Sequence, residues 1–335
     1  MEQHHLISNK NTGTVFHALD LTKFIGALMV VLIHTSPLET YSAVANFYTR
    51  DVLARLAVPM FFAISGFFFA RRPNPLKTLR RIGMLYLGWS AVYLTLQIPQ
   101  WYKDGWWGFH VIVDYILGLV TKGTYFHLWY LLATLYAIPL LYLLVKRDSP
   151  RLMLGVCSLC WLAECVTYSY SWVGIDRIPV LMSLLDRFGG VCDGVFRALP
   201  LMLVGVLCLK NASSHPAGYW GKRALAAFLL LCAEASALYF ASPNDQLYSY
   251  LFTTPFFTYY SLCFLLNCNF RFRREEWAVH LRKASLMIYC IHPFIDHLVE
   301  RTAIAPGISA WLAVTVLATG FSLAYSVLSL RSRNK

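Results

Sequence analysis

Ten apolar stretches, each near the roughly 20 residues that cross a bilayer as a helix, recur along the chain at 16–36, 51–70, 82–99, 126–145, 152–171, 194–210, 224–241, 248–267, 284–302 and 309–330. In hydrocarbon every backbone polar group must be satisfied within the protein, so open strands are excluded and helices are the economical solution. The pattern predicts an all-α, polytopic integral membrane bundle of about ten transmembrane helices. Composition agrees: of 335 residues, 58% are hydrophobic and 14% charged, whereas soluble domains carry roughly 25% charged residues. The net charge of +12 would suit a nucleic-acid partner if it formed a face. It falls instead in short clusters between apolar runs, so nucleic acid is excluded.

Those clusters give an orientation. With a cytoplasmic N-terminus, Lys10 and Lys23, the stretch Arg71 to Arg81, Lys146 to Arg151, Lys210 to Arg223, Arg271 to Lys283 and the tail from Arg331 place 21 of the 29 Lys and Arg residues inside. Ten spans with both termini cytoplasmic satisfy the positive-inside bias. Trp101, Trp106 and Trp107 then fall at an outer aromatic belt, and 108–120 is predicted as a short interfacial helix. The 170–200 region has room for more than one short helix. Cys157, Cys160, Cys165, Cys208, Cys232, Cys263, Cys268 and Cys290 lie in or beside apolar runs and read as small buried hydrophobes; no metal is expected, because the Cys157–Cys160 pair lacks further ligands at matching spacing. Residues 1–15 are polar and no small-residue cleavage site follows the first apolar run, so no signal peptide is expected. One transmembrane domain over 1–335 follows, with a short cytoplasmic segment 1–15 and tail 331–335.

Ionisable side chains in a bilayer are expensive and mark candidate sites. In the first span Lys23 and His34 are eleven residues apart, close to three turns, so they share a face with about 16 Å between their Cα atoms. Asp20, one turn before Lys23, can pair with it. Imidazole titrates near neutrality and can take a proton from a hydroxyl; the structural alternative is a Lys23 that snorkels and a His34 that bonds a carbonyl. After Ser65-Gly66-Phe67, the cations Arg71, Arg72, Lys77, Arg80 and Arg81 either set topology or, with the Ser65-Gly66 amides, meet a polyphosphate. His127-Leu128-Trp129-Tyr130 opens the fourth span as an aromatic anchor or a ligand contact. Asp51 and Arg55 stand at the outer end of the second span. His292 and Asp296, four apart beside Pro293, are predicted to pair. Asp186, Asp193 and Arg197 gather around the sixth span. Glu164 and Glu234 have no partner legible in the sequence.

Taken together, the segment Leu19-Asp20-Leu21-Thr22-Lys23 through His34, the run Phe61 to Phe69 with Ser65-Gly66-Phe67, the basic stretch after it, His127-Leu128-Trp129-Tyr130 and Ser285 through Pro293 resemble the membrane acyltransferase-3 family from about residue 16 to 330. The resemblance implies a ten-helix protein of the bacterial plasma membrane. Such a protein passes an acyl group, usually acetyl, from cytoplasmic acetyl-CoA to a hydroxyl of an extracytoplasmic glycan or similar envelope acceptor. It implies that His34 is essential and that the basic segment after Ser65-Gly66-Phe67 meets the CoA phosphates, with Ser65 counted in that site; Lys23 and Asp20 are the further catalytic candidates, Lys23 either steering the pantetheine-phosphate end or pairing with Asp20. Asp51, Arg55, His127, Trp129, Tyr130 and His292 are then expected on the acceptor side. Two positions depart from the family pattern: Lys77-Thr78-Leu79-Arg80 stands where many members have Arg-x-x-Arg, and Thr134 lies where many have glutamate.

Ile33-His34-Thr35-Ser36-Pro37-Leu38 and Arg55 through Phe62 are also similar to the membrane domain of vancomycin-resistance serine racemases. That similarity gives a rival, an L-serine transporter or binding module in which Arg55 or His34 takes the carboxylate and Glu164 or Glu234 the ammonium. A structural role in envelope assembly is a third reading. The expected partners are the lipid bilayer, acyl-CoA, a hydroxyl acceptor and, in a homodimer, a second copy of the chain.

Overall fold

A computed structural model describes residues 16–106, 108–170, 178–241 and 250–331. Lys10, Trp107, Arg333, Lys335 and the start of the expected span 248–267 lie outside the described residues. The chain folds into helices α1 (His17–Thr35), α2 (Ala43–Arg71), α3 (Pro75–Lys103), α4 (Phe109–Thr121), α5 (Trp129–Arg147), α6 (Pro150–Tyr168), α7 (Pro179–Arg187), α8 (Gly189–Ser214), α9 (Ala217–Ala241), α10 (Thr254–Asn267), α11 (Glu275–Val299) and α12 (Ile308–Arg331). Among the described residues every expected span falls on a helix, and 170–200 does hold an extra short one, α7. Among the described residues seven helices, α1, α2, α5, α6, α8, α9 and α12, are long and apolar enough to cross a membrane. The other three expected spans fall short for separate reasons: α3 dilutes its apolar residues with tyrosine, tryptophan and glutamine, α10 has 14 residues, and α11 carries Glu275, Glu276, Arg282, Lys283 and Asp296.

The boundaries follow local chemistry. Asn74 and Ser149 accept from the backbone N–H groups of Lys77 and Leu152 at 3.0 and 3.4 Å, with Pro75 and Pro150 opening α3 and α6, where their missing N–H costs nothing. Ser36 ends α1 in the left-handed region at φ 42° and bonds back to Leu32.

α8 is the centre of the bundle. Its residues Leu199 to Cys208 are all buried, and it packs against α2, α5, α6 and α10. The outer helices do the reverse: Leu225, Leu229 and Leu230 of α9, and Val316, Phe321 and Leu328 of α12, expose more than half of their surface, as suits side chains solvated by lipid. α1 sits between α2 and α11, and α12 closes the other side of α11.

The α2–α8 contact rests on two glycines. A Cβ on Gly66 would stand 2.0 Å from the Met202 carbonyl oxygen, and one on Gly205 would stand 1.9 Å from that of Ala63. The two backbones touch, the arrangement that small residues permit between membrane helices. Gly205→Ala must push the helices apart at the most buried seam of the protein, which should cost about 1–3 kcal/mol. Gly320→Ala on α12 meets nothing within 4 Å and should be neutral or mildly stabilising. Thermal melting in detergent checks this pair, and equal melting temperatures would contradict it.

Candidate functional site

Both segments that deliver arginine to the interior contain a widened turn. In α2 the π-helical stretch Phe47–Leu53 precedes Arg55, and in α8 the stretch Asp193–Ala198 carries Arg197. Such turns shift the register of the side chains beyond them and recur at functional sites. Here both arginines line one open cavity of about 130 Å³, together with His34, His127, Trp129 and Tyr130. Trp161 of α6, Tyr250 from the segment before α10 and Tyr289 of α11 complete its wall.

His34 stands at the mouth, in the last turn of α1. It is exposed, its ring lies 4.7 Å from Phe126 and 5.3 Å from His292, and it makes no hydrogen bond to the described residues. His292 is 1% exposed, and its Nδ1 lies 2.9 Å from the Tyr289 carbonyl and 3.1 Å from that of Ile288. A carbonyl only accepts, so Nδ1 carries the proton and Nε2 presents its lone pair; Nε2 has no partner among the described residues. The sequence-predicted His292–Asp296 pair is therefore corrected. The ring turns back to the carbonyls of its own helix, which lie within closer reach than the carboxylate one turn ahead. His127, 2% exposed, leaves both ring nitrogens without a partner among the described residues, while its carbonyl accepts from the Tyr289 hydroxyl. Three imidazoles thus meet, His34 and His127 in the cavity wall and His292 beside both rings at 5.3 and 5.5 Å, although no group of His, Cys, Asp or Glu among the described residues is arranged to hold a metal.

Opposite them lies an ion cluster that the sequence did not assemble. The Arg197 guanidinium is held by Glu164 at 2.5 Å and Asp193 at 3.1 Å. It lies 4.0 Å from the centre of the Tyr250 ring and 4.7 Å from that of Trp129. Its Nη1 has no hydrogen-bond partner among the described residues. The spacing of Asp193 and Arg197, four apart, was a legible signal; Glu164 and Tyr250 come from other elements. Glu234, the other unassigned carboxyl, accepts from Tyr170 at 2.5 Å, from the Phe252 and Thr253 N–H groups at 2.6 and 3.0 Å and from the Thr253 hydroxyl at 2.5 Å. It thereby fixes the strand of chain that carries Tyr250.

The expected site residues divide into two ends. Arg55 pairs with Asp51 at 2.9 Å, and Arg50 reaches both Asp51 and Ser36 at 3.1 Å. Trp129 and Tyr130, which sequence alone left between anchor and contact, are cavity wall. At the opposite end Asp20 lies 3.5 Å from both Lys23 and Arg282, and the Lys23 ammonium covers the Phe68 ring at 4.7 Å. The structure does not bring Lys23 or Asp20 to His34. Arg71 lies over Phe16 and Phe67 at 5.0 and 5.8 Å; Arg72, Lys77, Arg80 and Arg81 are exposed. None of these five has an ion pair among the described residues. Twelve residues of helix, about 18 Å, separate Pro59 at the cavity from Arg71.

Two expectations change. The Ser65 and Gly66 amides lie inside α2, where the helix ladder uses them, so they are not available to a phosphate. Ser65 instead offers its hydroxyl, 3.5 Å from that of Tyr130, and Gly66 serves helix packing. Thr134 donates to the Tyr130 carbonyl at 2.7 Å and contributes no carboxylate.

Comparison with known proteins gives the family of the chain. The chain is 27% identical to an amino-acid racemase of Enterococcus faecalis over 224 residues, covering 65% of this chain and 31% of the racemase. It is 24% identical to a second amino-acid racemase of that species over 295 residues, covering 83% and 41%. It is 25% identical to a serine/alanine racemase of Enterococcus gallinarum over 341 residues, covering 93% and 45%. The chain spans less than half the length of these relatives. No solved structure matches it. A family model described as an acyltransferase domain matches residues 16–330, nearly the whole chain. A multi-pass helical membrane protein with an accessible histidine in its bundle, this chain belongs to that acyltransferase family.

Proposed function

We propose that the protein transfers an acyl group, acetyl first among them, from cytoplasmic acyl-CoA to a hydroxyl of an extracytoplasmic glycan or other envelope acceptor. The observation that carries this reading is the accessible His34 imidazole in a cavity about 18 Å along α2 from Arg71, the first of five cations that lack ion-pair partners among the described residues. Guanidinium groups bind phosphates in forked, charge-assisted geometry, so Arg71, Arg72, Lys77, Arg80 and Arg81 would hold the nucleotide end of the donor. Its flexible pantetheine arm would run toward His34. Lys23 and Asp20 belong to the donor end, where they shape the charge around the entering arm.

The chemistry then balances within the site. His34 takes the proton of the acceptor hydroxyl as its oxygen attacks the thioester carbonyl. The C–S bond breaks, and the imidazolium returns the proton to the departing thiolate. The Arg197 Nη1 group would face the negative charge that develops on the carbonyl oxygen, a role suited to a preorganised donor. His292, beside the His34 and His127 rings, would help hold those rings in place, and His127, Trp129 and Tyr130 would fix the acceptor. Asp51 would hold Arg55 at the mouth.

A second reading is favoured by the printed names of the three curated relatives, all racemases of amino acids: a site for a small amino acid such as L-serine, with Arg55 or His34 on its carboxylate. Glu164 and Glu234 are poor ammonium partners under it, because Arg197 and the 252–253 amides already engage them. Calorimetry on detergent-purified protein tests the choice. Acetyl-CoA and CoA are expected to bind, with at least tenfold loss in the Arg71→Ala/Arg72→Ala variant, since a hydrogen bond to a charged group contributes about 1.5–3 kcal/mol. Binding of L-serine without binding of either CoA compound would overturn the acyl-CoA reading.

A further inference from the structure

His292 and Pro293 act as a unit within α11. A proline has no N–H, so it removes the helical hydrogen bond to the carbonyl four residues back, which here is that of Tyr289. The His292 ring folds over the opening: its Nδ1 lies 2.9 Å from the Tyr289 carbonyl oxygen and 3.1 Å from that of Ile288. Both contacts require a donor, so the proton stays on Nδ1 and the lone pair on Nε2. The backbone of one helix has thereby chosen the tautomer of its own histidine.

That lone pair is buried rather than hydrated. The residue is 1% exposed, and Nε2 meets no donor among the described residues. A buried acceptor is expected to find a partner, and the neighbouring groups narrow the choice. Tyr93 spends its hydroxyl on the Cys290 carbonyl at 2.7 Å, and Tyr289 spends its own on the His127 carbonyl. Two imidazoles remain beside the ring. His127 stands across it, with planes at 72° and centres 5.5 Å apart, whereas the His34 plane is inclined by only 28° at 5.3 Å. Two imidazoles joined edge to edge by an N–H···N bond of about 3 Å have their centres about 5 Å apart. His34 thus stands at the separation such a bond needs. Its ring is exposed and free of hydrogen bonds to the described residues, so a turn about Cβ–Cγ brings an N–H onto the lone pair. Catalytic hydrogen bonds are commonly loose without substrate and close in the complex.

A neutral imidazole free of contacts divides between two tautomers, and a general base works best when a third group holds it in one of them. We propose that His292 is the positioning residue of His34: its Nε2 accepts one ring N–H of His34 and so keeps the lone pair of the other His34 nitrogen turned to the cavity. When His34 takes up a proton, the N–H facing His292 is already bonded, and that bond strengthens as the donor becomes charged. The inference rests on the acyltransferase reading for what the cavity-facing lone pair does, but the tautomer itself does not depend on that reading.

The test reads the tautomer first and the rate second. Detergent-purified full-length chain carrying ¹⁵N-labelled histidine is studied by NMR at mildly alkaline pH, with the His34 and His292 signals identified by their loss in His34→Gln and His292→Gln. The parent protein is expected to show His34 in one tautomer and His292 protonated on Nδ1. In His292→Leu, an apolar side chain of similar size, His34 is expected to spread over both tautomers. Transfer from acetyl-CoA to chitotetraose should then fall about tenfold or more in kcat, with KM for acetyl-CoA changed by no more than about twofold. His292→Gln can offer an amide hydrogen to the carbonyls and an amide oxygen to His34, and should restore most of kcat. Two His34 tautomers in the parent protein, or a His292 protonated on Nε2, would overturn the proposal even if His292→Leu fails to fold. One unchanged His34 tautomer in a folded His292→Leu protein would do the same. Absence of transfer by the parent protein would strike the acyltransferase reading alone.

Discussion

His34→Ala is expected to lower acyl transfer by about 10²–10⁴-fold, the span associated with loss of a positioned general base, while leaving the protein folded. The two halves of that expectation come from the same geometry. The imidazole is exposed at the cavity mouth and hydrogen-bonds none of the described residues, so its removal breaks no network and should change stability by no more than about 0.5 kcal/mol. Its accessible nitrogen is nonetheless the group placed to receive a proton, since His292 and His127 are buried behind it. His34→Gln keeps a polar group of similar reach but cannot accept a proton in the same way, and should not restore transfer. Initial rates at saturating acetyl-CoA, together with thermal melting, check both halves. A folded His34→Ala protein with the parent rate would remove the mechanism.

Arg197→Met should be the most destabilising single change at the site. It strands the carboxylate of Glu164, 3% exposed, and that of Asp193, and loss of one partner of a buried ion pair costs about 3–5 kcal/mol. Arg197→Lys should recover little, because an ammonium cannot reproduce the Nε and Nη2 contacts to Glu164 or lie flat against Tyr250 and Trp129. Arg197→Met combined with Glu164→Leu replaces the pair by apolar groups, an exchange often neutral for stability. The double variant is therefore expected to regain much of the lost melting temperature but not the transfer rate, which separates the role of Arg197 in the fold from its role at the cavity. Equal melting of Arg197→Met and the parent protein would show that the cluster is not structural.

The all-α membrane bundle was legible because lipid imposes a simple rule, and among the described residues every apolar stretch falls on a helix. The Asp20–Lys23 pair was also legible, since its partners are three apart on one helix. Contacts between helices were not. Arg197 stood out in the sequence as a cation in a span, yet Glu164 lies 33 residues away and Tyr250 was one of 20 tyrosines. Gly66 was read within a phosphate motif because its spacing cannot show that Met202 presses on it. His292 and Asp296 had the right spacing, and the nearer carbonyls of Ile288 and Tyr289 won. Spacing reports which residues share a face, while packing decides what that face meets.

Transfer across a sealed bilayer tests the central claim most directly. Proteoliposomes would hold labelled acetyl-CoA inside, with chitotetraose and maltotetraose outside, and both the free thiol released within and the labelled ester formed outside would be measured. Acyl transfer through His34 predicts thiol and ester in matching amounts, with both lost in His34→Ala. Neither product from the parent protein, or equal yields from His34→Ala, would contradict it.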